Sequence, residues 1–212
     1  MHVLLTGGTG FVGSQTVRPL LDAGHRVRLL VRSEAGAVES LRVRGVDPAA
    51  VELHLGDMTD AEAVAAAAHG CDATIHAAAA IGVTGRGASV HEVNTVGART
   101  VVGAALDAGH DQVVHVSSVA VFIPPVGPVI DASSPLASPR TDYGRSKVDT
   151  EHELRARQDR GDPITIVYPG GVIGRDQRHL DATMEGLVAA RTQGWPVTSG
   201  GIALLDARDL AA

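Results

Sequence analysis

The sequence predicts a doubly wound α/β fold, in which helices cover both faces of a parallel sheet. Short runs rich in Val, Leu and Ile alternate with longer Ala-rich segments along most of the chain. This alternation is typical of parallel strands joined by helical crossovers. A glycine-rich segment directly follows the first of these runs. Because only 2% of the residues are aromatic, we expect a core of aliphatic side chains.

The predicted elements follow one another in strand-helix order. The predicted strands are residues 3–6, 26–31, 51–55, 73–76, 112–117 and 164–168. The predicted helices are residues 11–23, 60–69, 89–108 and 143–160. Gly24 and Gly109 follow two of these helices, where glycine commonly ends a helix. Residues 123–140 contain five prolines and predict a loop. Folds of this kind bind ligands beyond the carboxyl ends of the strands.

Composition excludes several classes of function. The net charge is −6 and no basic stripe is present, so we expect no nucleic-acid partner. No apolar run approaches the ~18 residues of a membrane span, and the N-terminus does not resemble a signal peptide; we therefore expect a cytoplasmic protein without a membrane partner. The single cysteine, Cys71, excludes an internal disulfide. His152-Glu153 lacks the second histidine of a zinc motif, and we expect no metal.

The glycine-rich segment predicts a dinucleotide site. Gly7, Gly10 and Gly13 form G-x-x-G-x-x-G between a strand and a helix, and this arrangement brings a diphosphate to the helix N-terminus in a Rossmann fold. A nucleoside triphosphate loop is excluded because Ser14-Gln15 stands where Lys and Ser or Thr are needed. The candidate cofactor-binding residues of this segment are Gly7, Thr9, Gly10, Phe11, Val12 and Gly13.

The end of the second predicted strand indicates which dinucleotide binds. Arg32 and Ser33 stand there, and residues 24–33 contain no acidic side chain. NAD sites usually place an acidic residue in this position, whereas an arginine accommodates the 2′-phosphate of NADP. The sequence therefore favours NADP over NAD.

Two further strand ends contribute candidate cofactor contacts. Asp57 and Met58 follow the third strand and are both candidate cofactor contacts. Asp57 is placed to accept a hydrogen bond from the adenine amino group, to cap the helix that begins near Asp60, or to do both. After the fourth strand, Ala77 and Ala78 are small enough for a cofactor to pass close by. His76, which precedes them, is more typical of a structural histidine than of a catalyst.

A tyrosine and the only lysine of the chain stand four residues apart. Of 18 Lys and Arg residues, Lys147 alone is lysine, and Tyr143 is one of two tyrosines. At this spacing the ammonium lies beside the phenol on one helix face, and we expect its charge to favour the phenolate. Ser117 and Ser118 end the fifth strand, so a hydroxyl there can hydrogen-bond a substrate carbonyl. The nucleophile motif G-x-S-x-G is missing, which disfavours a hydrolase.

Together these motifs resemble the extended short-chain dehydrogenase/reductase superfamily, of the NAD-dependent epimerase/dehydratase type. They are T-G-G-T-G-F-V-G, G-D-M-T-D, H-A-A-A, V-N-T-V-G, V-S-S-V-A-V-F and Y-G-R-S-K. The V-R-S ending of strand two is most similar to the branch of dihydroflavonol reductases, cinnamoyl-CoA reductases and 3β-hydroxysteroid dehydrogenases. The resemblance implies an NADP-dependent enzyme that interconverts a carbonyl and an alcohol. The alternatives are an NAD-dependent sugar-nucleotide epimerase or dehydratase, and a dinucleotide sensor without catalysis.

The resemblance also implies roles for single residues. The catalytic triad carries over to Ser118, with Ser117 as the alternative, and to Tyr143 and Lys147, the last of which also binds the cofactor. Asn94 matches an asparagine that supports proton relay. The segment beside the nicotinamide matches 168–174, with Tyr for the usual Arg; its candidate cofactor contacts are Tyr168, Pro169 and Val172. A small-molecule carbonyl or alcohol substrate and a homodimer are the implied partners.

The chain is expected to contain two regions. Residues 1–168 are predicted to form an NADP-binding Rossmann domain that also carries the catalytic residues. Strand-helix alternation loosens in residues 169–212, where we predict a helix over 179–192, followed by Trp195-Pro196, Ser199-Gly200-Gly201 and an apolar run over 202–205. This region is expected to begin a substrate-binding part that is incomplete here.

Overall fold

A computed structural model describes residues 1–81, 89–175, 177, 182–194, 201 and 203–212, without the side chains of 182 and 183. Its described residues contain a six-stranded parallel sheet with the order β3-β2-β1-β4-β5-β6. The strands are β1 (His2–Thr6), β2 (Arg26–Val31), β3 (Glu52–Leu55), β4 (Ala73–His76), β5 (Gln112–Val116) and β6 (Ile164–Val167). Each lies within one residue of its predicted range, and the doubly wound α/β fold is confirmed.

Five helices connect these strands within the described residues. They are α1 (Phe11–Asp22), α2 (Glu34–Val43), α3 (Ala61–Ala68), α4 (Val90–Asp107) and α5 (Asp142–Gln158). Gly24 and Gly109 have φ of 79° and 76° just beyond α1 and α4, which confirms them as helix ends. The sequence pattern does not predict α2. Its start is fixed by Ser33, whose Oγ accepts a hydrogen bond from the Gly36 nitrogen at 3.2 Å, as expected of an N-cap serine.

The aliphatic core lies on both faces of the sheet because neighbouring strand residues point in opposite directions. On one face, Leu5 and Leu29 belong to a buried cluster with Val17 of α1 and Leu41 of α2. On the other face, the neighbouring strand residues belong to a second cluster with side chains of α3 and α4. Its members include Leu4, Leu30, Val64 and Val101. The expectation of a core of aliphatic side chains therefore holds for these two faces.

The C-terminal region contributes a second, two-stranded sheet. β7 (Gly171–Ile173) pairs in parallel with β8 (Leu204–Asp206). α6 (Ala182–Gln193) occupies most of the helix predicted over 179–192, and residues 179–181 lie outside the described residues. Of the residues named after this helix in the sequence analysis, Trp195-Pro196, Ser199-Gly200 and Ile202 also lie outside the described residues. The pattern does not predict α7 (Ala207–Ala211), which packs against α1.

Two negative findings apply to the part of the chain that the structure describes. None of its helices combines the length and the apolar character needed to cross a membrane. None of its His, Cys, Asp and Glu side chains form a group that could hold a metal ion.

Candidate active site

The glycine-rich loop between β1 and α1 is folded tightly against itself and against the segment after β4. Gly7 has a φ of 77°, and a Cβ there would lie 2.6 Å from backbone atoms of Ala77 and Ala78. A Cβ at Gly13 would overlap the Gly7 carbonyl oxygen, which also accepts a hydrogen bond from the Gly10 nitrogen at 2.8 Å. Glycine is therefore required at positions 7 and 13. No described side chain caps α1, so its first-turn N–H groups are open at this loop.

A cavity of about 430 Å³ lies against this loop, between α1, the end of β2 and α2. Its described lining residues are Thr9, Gly10, Phe11, Ser14, Arg32, Ser33, Gly36, Ser40, Val43, Arg44 and Gln177. These residues carry two guanidinium groups and no carboxylate. The sequence prediction placed Thr9, Gly10, Phe11 and Arg32 at a cofactor, and the structure brings them together. Val12 is half-buried on the first turn of α1 and is not among the lining residues.

Arg44 is a lining residue that the sequence reasoning missed. Its Nε donates to the Ser14 hydroxyl at 3.0 Å, and its Nη1 donates to the Arg175 carbonyl at 3.1 Å. The guanidinium also lies 5.9 Å from the centre of the Phe11 ring. Gly36, Ser40 and Arg44 share one face of the α2 segment at four-residue spacing. This four-residue spacing is visible in the sequence, but it places the three residues on one face only if the segment is helical.

Asp57 lies at the end of β3 and does not cap α3. Its Oδ1 accepts hydrogen bonds from the Thr59 nitrogen at 2.9 Å and the Thr59 hydroxyl at 2.7 Å. Asp60 is the N-cap and accepts from the first-turn nitrogens of α3, so the capping alternative for Asp57 is wrong. Burial alone would raise the pKa of Asp57, but the hydrogen bonds from Thr59 and the charge of Arg32 leave it lowered. Met58 packs against α4, where a Cβ at Gly97 would lie 2.8 Å from the Met58 side chain.

Tyr143 and Ser118 face each other at the carboxyl edge of the sheet. Ser118 follows β5 and accepts a hydrogen bond from the Ala120 nitrogen at 3.1 Å, which fixes its hydroxyl. Burial raises the pKa of the Tyr143 phenol, and a hydrogen bond between the two side chains opposes this. Ser117 instead points into the core, where its hydroxyl donates to the buried Glu151 carboxylate at 3.0 Å. Of the two serines, Ser118 is therefore the one whose hydroxyl acts on the phenol.

Lys147 is buried on α5, one turn after Tyr143. Its Nζ donates to the Val116 carbonyl at 2.8 Å and lies 5.8 Å from the centre of the Tyr143 ring. Burial lowers the pKa of Lys147 to about 8, although the negative charge of Glu151 opposes this effect. The expectation that the ammonium lowers the Tyr143 pKa is wrong for this structure. Burial of the phenol dominates, and the ammonium is directed at a backbone carbonyl rather than at the phenol oxygen.

Asn94 of α4 connects the segment after β4 with α5. Its Oδ1 accepts from the Ala80 nitrogen at 2.7 Å, and its Nδ2 donates to the Ala80 carbonyl and the Ser146 hydroxyl, both at 3.1 Å. Ser146 in turn donates to the Tyr143 carbonyl at 2.7 Å. The amide therefore holds the backbone that follows Ala77 and Ala78 against the helix that carries the phenol.

Two buried histidines lie on the neighbouring strands β4 and β5. The rings of His76 and His115 are 5.2 Å apart, and His76 Nδ1 shares a hydrogen bond with the Thr6 hydroxyl at 2.6 Å. Burial, followed by the charge of Lys147, lowers the pKa of His76 to about 3. The same causes lower the pKa of His115 well below its usual value. Both imidazoles are therefore neutral at physiological pH.

The segment expected beside the nicotinamide runs along the buried side of the site. The Pro169 carbonyl accepts from the Val119 nitrogen at 3.0 Å, and Val172 lies in β7 opposite Leu205. The Tyr168 ring packs 5.0 Å from Phe122. Its hydroxyl donates to Glu151 rather than facing the glycine-rich loop.

Comparison with known proteins gives a consistent assignment. Residues 3–209 match the model of the NAD dependent epimerase/dehydratase family. A relative from Methylococcus capsulatus, sterol demethylase protein B, is 36% identical over 82% of this chain and 52% of its own length. A ketoreductase from Stigmatella aurantiaca, named for a farnesyl dihydroquinoline oxide, is 33% identical over 83% of this chain and 52% of its own length.

A solved structure is similar over the whole chain. The UDP-glucose 4-epimerase of Thermus thermophilus, in complex with NAD, has a TM-score of 0.78 at 28% identity, covering 100% of this chain and 72% of its own. The chain spans about half the length of the curated relatives described above.

Proposed function

The chain belongs to the NAD dependent epimerase/dehydratase family, and we propose that it binds NADP(H) and interconverts a carbonyl and an alcohol by hydride transfer. The observation that carries this proposal is the meeting of Tyr143, Ser118 and the buried Lys147 at the carboxyl edge of the sheet. The Lys147 Nζ lies 5.8 Å from the centre of the Tyr143 ring and donates to the Val116 carbonyl, two residues before Ser118. The glycine-rich loop that fits a dinucleotide opens at the same edge.

The cavity beside the loop supports NADP rather than NAD. Arg32 and Arg44 line it, and none of its described lining residues is acidic. A guanidinium gives a 2′-phosphate charge-assisted hydrogen bonds, whereas a ribose 2′-hydroxyl is usually bound by a carboxylate. Ser33 and Ser40 add hydroxyl groups to the same lining. The diphosphate would lie at the open N-terminus of α1.

The residues at the sheet edge have distinct roles in the proposed reaction. The nicotinamide, when bound, supplies or accepts the hydride. Tyr143 gives its phenolic proton to the carbonyl oxygen in the reductive direction and takes it back in the oxidative direction. Ser118 donates a hydrogen bond to the same oxygen and orients it toward the phenol. Lys147 supplies a buried ammonium, which would donate to the hydroxyl groups of the cofactor ribose.

An apolar loop that follows the Ser118 turn in the chain favours a substrate with an apolar body. Residues 123–141 connect the turn after Ser118 with α5, and Val126 and Val129 are 76% and 74% exposed. They line a shallow cavity of about 190 Å³ together with Phe122, Gly127, Ile130, Ser134 and Pro135. A nucleotide-sugar substrate needs charged and hydrogen-bonding partners, and this lining offers few. The loop therefore supports a carbonyl reductase over a sugar-nucleotide epimerase.

The test is a cofactor titration followed by a substrate panel on the full-length protein. Fluorescence titration should show tighter binding of NADPH than of NADH. Turnover should then be measured with NADPH on apolar ketones and aldehydes, and with NAD on UDP-sugars. Preferential turnover of the apolar carbonyls supports the proposal. Epimerisation of a UDP-sugar with NAD would establish the alternative, and binding of NADPH without any turnover would favour a dinucleotide sensor.

A further inference from the structure

The carboxylate of Glu151 is fully buried on α5, one turn after Lys147. Its Oε2 accepts a hydrogen bond from the Ser117 hydroxyl at 3.0 Å. Its Oε1 accepts from the Arg155 Nε at 2.9 Å and from the Tyr168 hydroxyl. A buried carboxylate is costly unless its oxygens are hydrogen-bonded and its charge is paired, and here three donors satisfy both conditions.

These donors come from the three segments that surround the candidate catalytic residues. Ser117 precedes Ser118 at the end of β5, and Tyr168 follows β6. The same two segments are also paired through their backbones, since the Ser117 nitrogen donates to the Val167 carbonyl at 2.9 Å. Glu151 joins both segments to α5, the helix that carries the phenol.

Lys147 and Glu151 act on consecutive residues of the same strand end. Lys147 donates to the Val116 carbonyl at 2.8 Å, and Glu151 accepts from the neighbouring Ser117. Together these two contacts hold α5 against the backbone immediately before Ser118. The distance between Ser118 and Tyr143 therefore depends on them.

The charge of Glu151 also acts on Lys147. The titratable groups that face the ammonium are Tyr143 and Glu151 on its own helix, His76 on β4 and His115 on β5. Both histidines are neutral above pH 7, because burial and the Lys147 charge lower their pKa values. Burial lowers the Lys147 pKa, and the negative charge of the Glu151 carboxylate opposes this effect by raising it.

We propose that Glu151 is a positioning residue, which holds Ser118 against Tyr143 through Ser117 and Tyr168 and stabilises the ammonium of Lys147. The proposal rests on the proposed function for its effect on turnover. Its effect on Lys147 does not require turnover and can be measured separately.

Lys147 is the only lysine of these 212 residues, and its protonation can be measured directly. In an NMR spectrum of protein labelled with [13Cε]lysine, the Lys147 signal is assigned by its loss in Lys147→Arg, and its shift reports protonation as the pH is raised. Glu151→Gln keeps the size of the side chain and removes its charge. Its Lys147 titration midpoint should fall by about half a pH unit or more. Its kcat should fall roughly tenfold, with KM and NADPH affinity retained.

Glu153→Gln is the matched control. Glu153 lies on the same helix and pairs with Arg99 and Arg157 at the surface, so the same substitution there should leave both the lysine midpoint and kcat at wild-type values. A wild-type lysine midpoint in folded Glu151→Gln, or an equal fall in both variants, would overturn the proposal.

The outcomes separate this proposal from the proposed function. If no carbonyl is turned over, the proposed function fails, and the lysine midpoint alone decides the role of Glu151. If Glu151→Gln does not fold, Ser117→Ala provides the second test, since it keeps the charge and removes one hydrogen bond. A fall in kcat at unchanged KM then supports the proposal, and a wild-type kcat contradicts it.

Discussion

Acid should destabilise this fold through the buried histidine beneath the active site. His76 is 1% exposed, and its pKa is lowered to about 3 from the ordinary value of 6.5. In the unfolded chain His76 is therefore protonated below about pH 6.5, whereas in the folded chain it stays neutral down to about pH 3. Stability that is fully present above pH 6.5 is lost as the pH falls through this window. Between pH 6.5 and pH 5 the free energy of unfolding falls by ~1.36 kcal/mol per pH unit. Over this interval of about 1.5 units the loss of stability is about 2 kcal/mol.

The assay is urea unfolding of the full-length protein at pH 7 and pH 5, followed by circular dichroism. His76→Asn keeps a polar atom near the Thr6 hydroxyl and cannot become charged. Its free energy of unfolding should fall by about 2 kcal/mol less than that of the wild type between the two pH values. His152→Asn, at an exposed position of α5, is the matched control and should behave as the wild type. Equal losses in wild type and His76→Asn would refute the reasoning.

Three further predictions concern cofactor and catalysis. Arg32→Ala should weaken NADPH by roughly tenfold or more and leave NADH nearly unchanged in a fluorescence titration, because only the 2′-phosphate loses a charged partner; equal losses would contradict the NADP assignment. Tyr143→Phe should lower turnover by roughly 10²-fold or more with cofactor affinity retained, since it removes the general acid; undiminished turnover would exclude Tyr143 from that role. Lys147→Arg should reduce activity and alter the pH profile of turnover in a folded protein, because a planar guanidinium cannot occupy the site of a compact ammonium; profiles that match the wild type would show that any cation suffices.

The sheet and the glycine-rich loop could be predicted because their signals are local. A buried parallel strand is a short aliphatic run, and a diphosphate loop requires glycines at fixed spacing. α2 was missed because it contains Gly36 and begins only three residues after the end of β2. Arg44 was missed with it, since its place in the cavity depends on that helix.

The buried polar side chains of the site could not be predicted, and the reason is different. Glu151 belongs to a helix with many charged side chains. It continues the four-residue spacing of Tyr143 and Lys147, but that spacing indicates a shared helix face and not whether the face is buried. Only packing against β5 and β6 buries Glu151 and leaves Glu153 at the surface. The same limit explains the wrong expectation for the Tyr143 pKa. The four-residue spacing places an ammonium near the phenol, but the degree of burial of both groups depends on the tertiary structure.

The departure at Tyr168 lies on the buried side of the site. The resemblance leads one to expect an arginine there, whereas in this chain the Tyr168 hydroxyl donates to the Glu151 oxygen that also accepts from Arg155 of α5. Arg155 also donates to the Ser134 carbonyl at 3.2 Å, so the apolar loop is connected to the same carboxylate. Neither Tyr168 nor Arg155 is among the described residues that line the cavity beside the glycine-rich loop. We therefore expect the departure to affect the support of Ser118 rather than the binding of the cofactor.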